Sequence, residues 1–311
     1  MQLLSTDHPL PPAALLAELR RCRANSPTRL EQALVESGLR PMTGGRNNDV
    51  YSWIGPDGPI CIKVYKIDER QRIEREWHAL NLLARHGSDC SPAPLWIDSA
   101  SDQPALGMSL VPGLTLPDVD DIPGALKALA ETTRALQDIP MSEPLAGWDR
   151  IDSADHYIKR LTSIWPQQLA EQADDPLTDD MLTLLRRWEN SRDAEILTLP
   201  ARSVFSRGDS NLDNWLHDGE TLRCVDFEYS GRSDVAFDAA DHIEHISART
   251  IPDETWHKLE TNLGIDHHNK HRFQAAQRTC AIRWLAVLWR QRNRRAEEFT
   301  TQLERVRQLQ G

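Results

Sequence analysis

This sequence predicts an α+β fold in two lobes, on three observations. Short β patterns joined by glycine-containing turns are gathered between residues 39 and 65. Helical periodicity takes over at residue 122 and continues to about residue 293. Between them runs an apolar stretch, Gly107-Met108-Ser109-Leu110-Val111, that ends in Pro112-Gly113. We therefore divide the chain into a first lobe (1–108), a hinge (109–113) and a larger, mainly helical second lobe (114–311). A chain of 311 residues is long enough for two separate cores.

Two helices open the first lobe as an extension over 12–38. One repeats Leu15, Leu16 and Leu19. The other starts at Ser26-Pro27, runs through Leu30, Leu34 and Val35, and stops at Gly38. Three strands follow, with Gly44-Gly45 between the first two and Asp57-Gly58 closing a hairpin between the second and third. Glycines at 44 and 45 would let backbone N–H groups approach phosphate oxygens with no Cβ in the way. The third strand, Ile60 to Tyr65, carries Lys63 among apolar neighbours, where an inward ammonium is costly unless paired. The next helix, from about Asp68 to Arg85, sets Ile73, Trp77, Leu80 and Leu83 on one face, with Glu76 beside them as the expected partner of Lys63. Strands at 94–98 and 105–111 complete the lobe. In the second lobe, apolar periodicity predicts helices over 122–137, 154–170, 178–190, 254–263 and 269–293. Trp284 and Trp289 are read as core.

The most informative residues lie between these helices. Arg207-Gly208-Asp209 is followed by Asn214, and a turn at Asp218-Gly219 and a short strand lead to Asp226-Phe227-Glu228. An Asp that takes a proton from a hydroxyl, an Asn five residues on, and a second Asp after the next strand form the order used in phosphoryl transfer. There the Asn and the second Asp hold magnesium. This run resembles the aminoglycoside phosphotransferase and choline kinase-like family of small-molecule kinases, as does the further Asp238 in the following helix. Members commonly carry His-Gly-Asp with a second His two residues later; here Arg207 and Asn211 stand at those places.

The resemblance implies a protein-kinase-like fold with Asp209 as catalytic base, Lys63 held by Glu76 against the phosphates, and Asn214 and Asp226 on Mg2+. ATP or GTP would be the donor. Gly44 and Gly45 would lie at its phosphates, and the Ser109 carbonyl and Val111 amide at its base. The alternative is a catalytically inactive nucleotide-binding regulator or scaffold of the same fold.

Charge is unevenly spread. Residues 1–110 carry 12 Lys+Arg against 13 Asp+Glu, and residues 111–311 carry 24 against 34. An acidic second lobe suits a small cationic acceptor by long-range attraction and argues against nucleic acid as a partner. Glu143 and Asp149, in a Pro- and Gly-punctuated loop, are candidates for an amine. His242 and His245 share a helix face, read as packing beneath the catalytic loop, with Asp241 or Glu244 turned to the cleft. No apolar run approaches the roughly 20 residues of a membrane span, and the first residues lack the pattern of a signal peptide. Five scattered cysteines without a CxxC pair suggest reduced thiols and a cytoplasmic protein, monomeric or homodimeric.

Overall fold

The computed structural model describes residues 12–25, 30–36, 38–42, 48–55, 58–99 and 103–311. The chain divides into two compact units, Met1–Pro112 and Gly113–Gly311. The first contains α1 (Pro12–Asn25), α2 (Leu30–Glu36), β1 (Leu39–Pro41), β2 (Asp49–Gly55), β3 (Gly58–Val64), α3 (Arg72–Arg85), β4 (Pro94–Asp98) and β5 (Ala105–Ser109). Its five strands form one antiparallel sheet in the order β1-β2-β3-β5-β4. Strand alternation puts Ile62 and Val64 on one face, where they pack with Leu15, Leu16, Leu19 and Leu34. Lys63 therefore leaves β3 from the opposite face.

Three details differ from the sequence expectation. Helix α3 begins at Arg72, not Asp68, because Gln71 takes a left-handed conformation (φ 54°). The Asp68 carboxylate meanwhile accepts from Arg70 N and pairs with Arg72 at 2.8 Å. Strand β5 ends at Ser109; beyond it Leu110 N donates to Pro59 O at 3.2 Å, but Pro59 has no N–H to return the bond. Val35, expected on the buried face of α2, is 52% exposed.

The second unit contains β6 (Leu114–Thr115), α4 (Ile122–Gln137), α5 (Ala154–Lys159), a π-helical turn (Arg160–Ile164), α6 (Trp165–Ala170), α7 (Thr178–Glu189) and α8 (Asp193–Thr198). It continues through β7 (Val204–Ser206), β8 (Trp215–His217), β9 (Leu222–Cys224), β10 (Gly231–Ser233), α9 (Val235–Glu244), α10 (Asp253–Leu259), α11 (Lys270–Trp289) and α12 (Ala296–Gln310). Helix α4 starts where the Asp121 carboxylate accepts from Gly124 N at 3.0 Å. The strands form two small antiparallel sheets, β6-β8-β9 and β10-β7. Trp148–Arg150 runs beside β10, with Arg150 N donating to Arg232 O and Arg232 N to Trp148 O.

The core of this unit joins α6, α7, α11 and α12 through Trp165, Leu185, Trp188, Ile282, Leu285 and Phe299. Trp289 is buried as expected, but Trp284 is only half-buried and stands edge-on to the His245 ring at 4.7 Å. Helices α8 and α12 are additions to the sequence reading. Among the described residues, no helix is long and apolar enough to cross a membrane.

Leu285 is fully enclosed in this core. Leu285→Ala should destabilise the protein by about 2–5 kcal/mol. Urea unfolding monitored by circular dichroism would measure the loss, and an unchanged midpoint would refute the packing described.

Candidate active site

In the first unit, α3 repeats Ile73, Glu76, Leu80 and Leu83 on its buried face, so a carboxylate falls in an apolar stripe. Glu76 has no exposed surface and must be paired to be tolerated. Lys63 Nζ donates to Glu76 Oε2 at 2.7 Å, and both side chains are buried. Tyr65, two residues along the same strand face, also donates its hydroxyl to that oxygen and sets its ring 5.0 Å beneath Lys63 Nζ. From the sequence, Tyr65 stands only at the end of the third strand, with no role toward Glu76. Ser109 closes β5, with its hydroxyl accepting from Ala93 N at 2.8 Å, and Val111 is half-buried two residues later. Gly44 and Gly45 lie outside the described residues.

In the second unit, β7 delivers the chain into the loop Arg207–Asn214. Gly208 turns it with φ 83°, and a Cβ there would fall on the Tyr229 carbonyl. Asp209 Oδ1 accepts from Asn211 N at 2.9 Å, and Asp209 Oδ2 accepts from Asn214 Nδ2 at 2.6 Å. With its amide nitrogen turned to Asp209, Asn214 keeps its side-chain oxygen free for a hard cation. Asn214 O accepts from Val225 N at 2.9 Å, which brings Asp226 alongside. Asp226 has φ 66°, a conformation sparsely populated by non-glycine residues and often found at functional sites. The oxygen donors of Asn214 and Asp226 fit a magnesium ion.

Burial pushes the Asp209 carboxyl up from its ordinary 3.8 to about 6. The Arg207 charge opposes this, and the Asp226 charge adds to it. Arg207 donates to Val225 O at 3.1 Å and stacks over Trp215, so a guanidinium ties the loop to the end of β9. Asn211 caps the short turn after it, accepting from Asp213 N at 3.3 Å. A cavity of about 20 Å³ lies beneath the loop, between Thr133, Arg207 and His242. Burial holds His242 and His245 neutral, with pKa values pushed down to about 3.

The buried residue that organises the loop is one the sequence reading passed over. Arg150 donates to Asp238 Oδ1 and to Gly208 O, each at 2.9 Å, and pairs with Asp241. Asp238 also accepts from Ser206 Oγ at 3.0 Å, and Asp241 from Ser210 Oγ at 2.8 Å. Asp241 is therefore a buried anchor and does not face a cleft. Glu244 is buried too, held by Arg305 at 2.6 Å. Glu143 is exposed, and Asp149 pairs with Arg232 at 2.7 Å.

The antiparallel sheet with its Lys–Glu pair, and the helical unit with its Asp–Asn–Asp loop, define a protein-kinase-like fold. A profile of the phosphotransferase enzyme family matches residues 38–259, and the chain belongs to that family. Its structure is similar to that of a choline/ethanolamine kinase family protein from Mesorhizobium loti. That match has 19% identity and TM-score 0.64, and covers 95% of this chain and 94% of the other. It is also similar to a thermostable mutant of the aminoglycoside phosphotransferase APH(4)-Ia in complex with ADP and hygromycin B (15% identity, TM-score 0.63, covering 91% and 98%). A third likeness is to an ethanolamine kinase from Plasmodium vivax (16% identity, TM-score 0.57, covering 87% and 82%). At these identities the likeness is one of fold. No curated protein sequence matches significantly.

A carboxyl with a raised folded-state pKa binds its proton more tightly than the unfolded chain does. Its contribution to stability is complete below the unfolded value of about 4 and is lost as pH rises through about 6. In metal-free protein, Asp209→Asn should therefore remove a fall in thermal midpoint across that window. Parallel pH profiles for the two proteins would contradict the burial of this group.

Proposed function

We propose that this chain transfers the γ-phosphoryl group of ATP or GTP to a hydroxyl of a small molecule. The observation that carries this reading is the hydrogen bond of Asp209 to Asn214, with Asp226 drawn alongside by the Val225–Asn214 bond. Asp209 accepts the acceptor's hydroxyl proton, its raised pKa bringing it nearer to the working pH. Asn214 and Asp226 hold magnesium, which neutralises charge on the phosphates when bound. Lys63, steadied by Glu76 and Tyr65, orients the nucleotide phosphates. Gly44 and Gly45 serve the phosphates, and Ser109 O and Val111 N the base. The rate then comes from positioning and charge neutralisation, without a covalent enzyme intermediate.

The acidic surplus of the second unit favours an acceptor bearing an amine: an aminoglycoside-like antibiotic, an amino sugar or an amino alcohol. The five cysteines form no disulfide and three are buried, which supports a reducing cytoplasm as the place of action, and the protein would work as a monomer or homodimer.

ADP should be released from magnesium-ATP, or GDP from magnesium-GTP, when the protein is given a panel of such alcohols. No release above the acceptor-free blank across the panel would favour a nucleotide-binding scaffold instead. Asp209→Asn should lower kcat by about 10²–10⁴-fold while nucleotide affinity holds, and kcat within tenfold of wild type would exclude Asp209 as the base. Asp226→Ala should weaken magnesium-nucleotide binding in a calorimetric titration, and an unchanged affinity would remove Asp226 from the metal site.

A further inference from the structure

Acids inside the second unit are matched by arginines: Asp193 by Arg278, Asp234 by Arg272, Asp238 and Asp241 by Arg150, and Glu244 by Arg305. Where α5 and the π-helical turn pack on α11, the balance is reversed. Arg283, 8% exposed, lies between the rings of Tyr157 and Trp284, 4.4 Å from each. One of its nitrogens, Nη2, donates to Asp152 at 2.7 Å, whereas Nε and Nη1 are buried with no acceptor.

Arg160 stands one turn beyond Tyr157, at the start of the π-helical turn, a distortion that recurs at functional sites. Arg290 follows Arg283 by two turns, at the C-cap of α11. Among the described residues, neither Arg160, which is half-buried, nor Arg290, which is exposed, has a carboxylate within ion-pair distance. Burial, together with the like charges of Arg283 and Arg290, lowers the pKa of Arg160. Asp152 is paired with Arg283 alone and also accepts from His156 at 3.0 Å, so it does not serve Arg160 or Arg290.

We propose that Arg160, Arg283 and Arg290 form a binding site for a carboxylate or phosphate group, and that this group belongs to the acceptor. A planar guanidinium pairs with either anion through two parallel N–H donors, and a second negative group would complete the set. The site is linked to the catalytic loop. Arg283 stacks on Tyr157, whose hydroxyl donates to Asp241 at 2.9 Å, and Asp241 accepts from Ser210, the neighbour of Asp209. The role in the acceptor rests on the phosphoryl-transfer reading; the anion site itself does not. Such an acceptor carries an anionic group besides its hydroxyl and any amine drawn by the acidic surface.

The test has a binding arm and a turnover arm. Inorganic phosphate and glycolate are titrated calorimetrically into the nucleotide-free protein at constant ionic strength, with chloride as the blank. Saturable binding of either anion is expected, weakened about tenfold or more by Arg160→Gln and partly restored by Arg160→Lys, which keeps the charge but loses the fork. The thermal midpoint should stay unchanged in both variants. Binding of phosphate alone assigns a phosphate-bearing acceptor, and binding of glycolate a carboxylate-bearing one. No saturable binding, or binding that Arg160→Gln leaves intact, overturns the site.

In the turnover arm, ADP release is compared for ethanolamine, glycolate and free L-serine. Preference for an anion-bearing acceptor that Arg160→Gln abolishes supports the assignment. Preference for ethanolamine unaffected by that change overturns it. Anion binding without ADP release from any acceptor leaves the site standing and removes the transfer reading instead.

Discussion

The guanidinium of Arg150 is buried among groups that each need it. It meets two carboxylates on one helix and the carbonyl that precedes Asp209 in the loop. Its own backbone is hydrogen-bonded to β10, so the cation sits on a fixed element and is not at the end of a free loop. Removing one member of such a buried set leaves charges without compensation, which typically costs 3–5 kcal/mol or roughly that. The two carboxylates also bind Ser206 and Ser210, on either side of the Gly208–Asp209 segment. Asp209 is thus held by its neighbours, and its own oxygens are left to Asn214 and the Asn211 amide.

Helix α9 extends this principle. Asp234, Asp238, Asp241 and Glu244 descend one side of it, and each meets an arginine brought from a distant part of the chain. Interior acidity is therefore largely cancelled where it occurs, and the negative balance of the second unit belongs mainly to its surface. A net charge read from composition speaks to long-range attraction, whereas single arginines set the field inside.

Much of this was legible in the sequence. The strands of the first unit, the helix carrying Glu76 and the long helices of the second follow from periodicity and turn residues. The Lys63–Glu76 pair is legible because an ammonium in an apolar strand needs a partner and Glu76 lies on the inner flank of the next helix. Arg150 left no such trace: it lies in a loop, 58 residues before the carbonyl it holds, and only the tertiary fold brings them together. Tyr65 reads as one more strand aromatic until its hydroxyl is seen on Glu76. Helix α12 did carry a signal, with Phe299, Leu303 and Val306 on one buried face, but dense surrounding charge obscured it. Helix α8 spans six residues, too few for periodicity to register. Glu244 looked available on its own helix because its partner Arg305 comes 61 residues later.

The substitution of Arg207 for a histidine has an electrostatic consequence. An imidazole gains and loses its proton within the physiological range, so its influence on a neighbouring carboxylate varies with acidity. A guanidinium keeps its proton throughout. In this chain the residue flanking Asp209 is an arginine, whose charge opposes the upward push that burial exerts on that carboxyl.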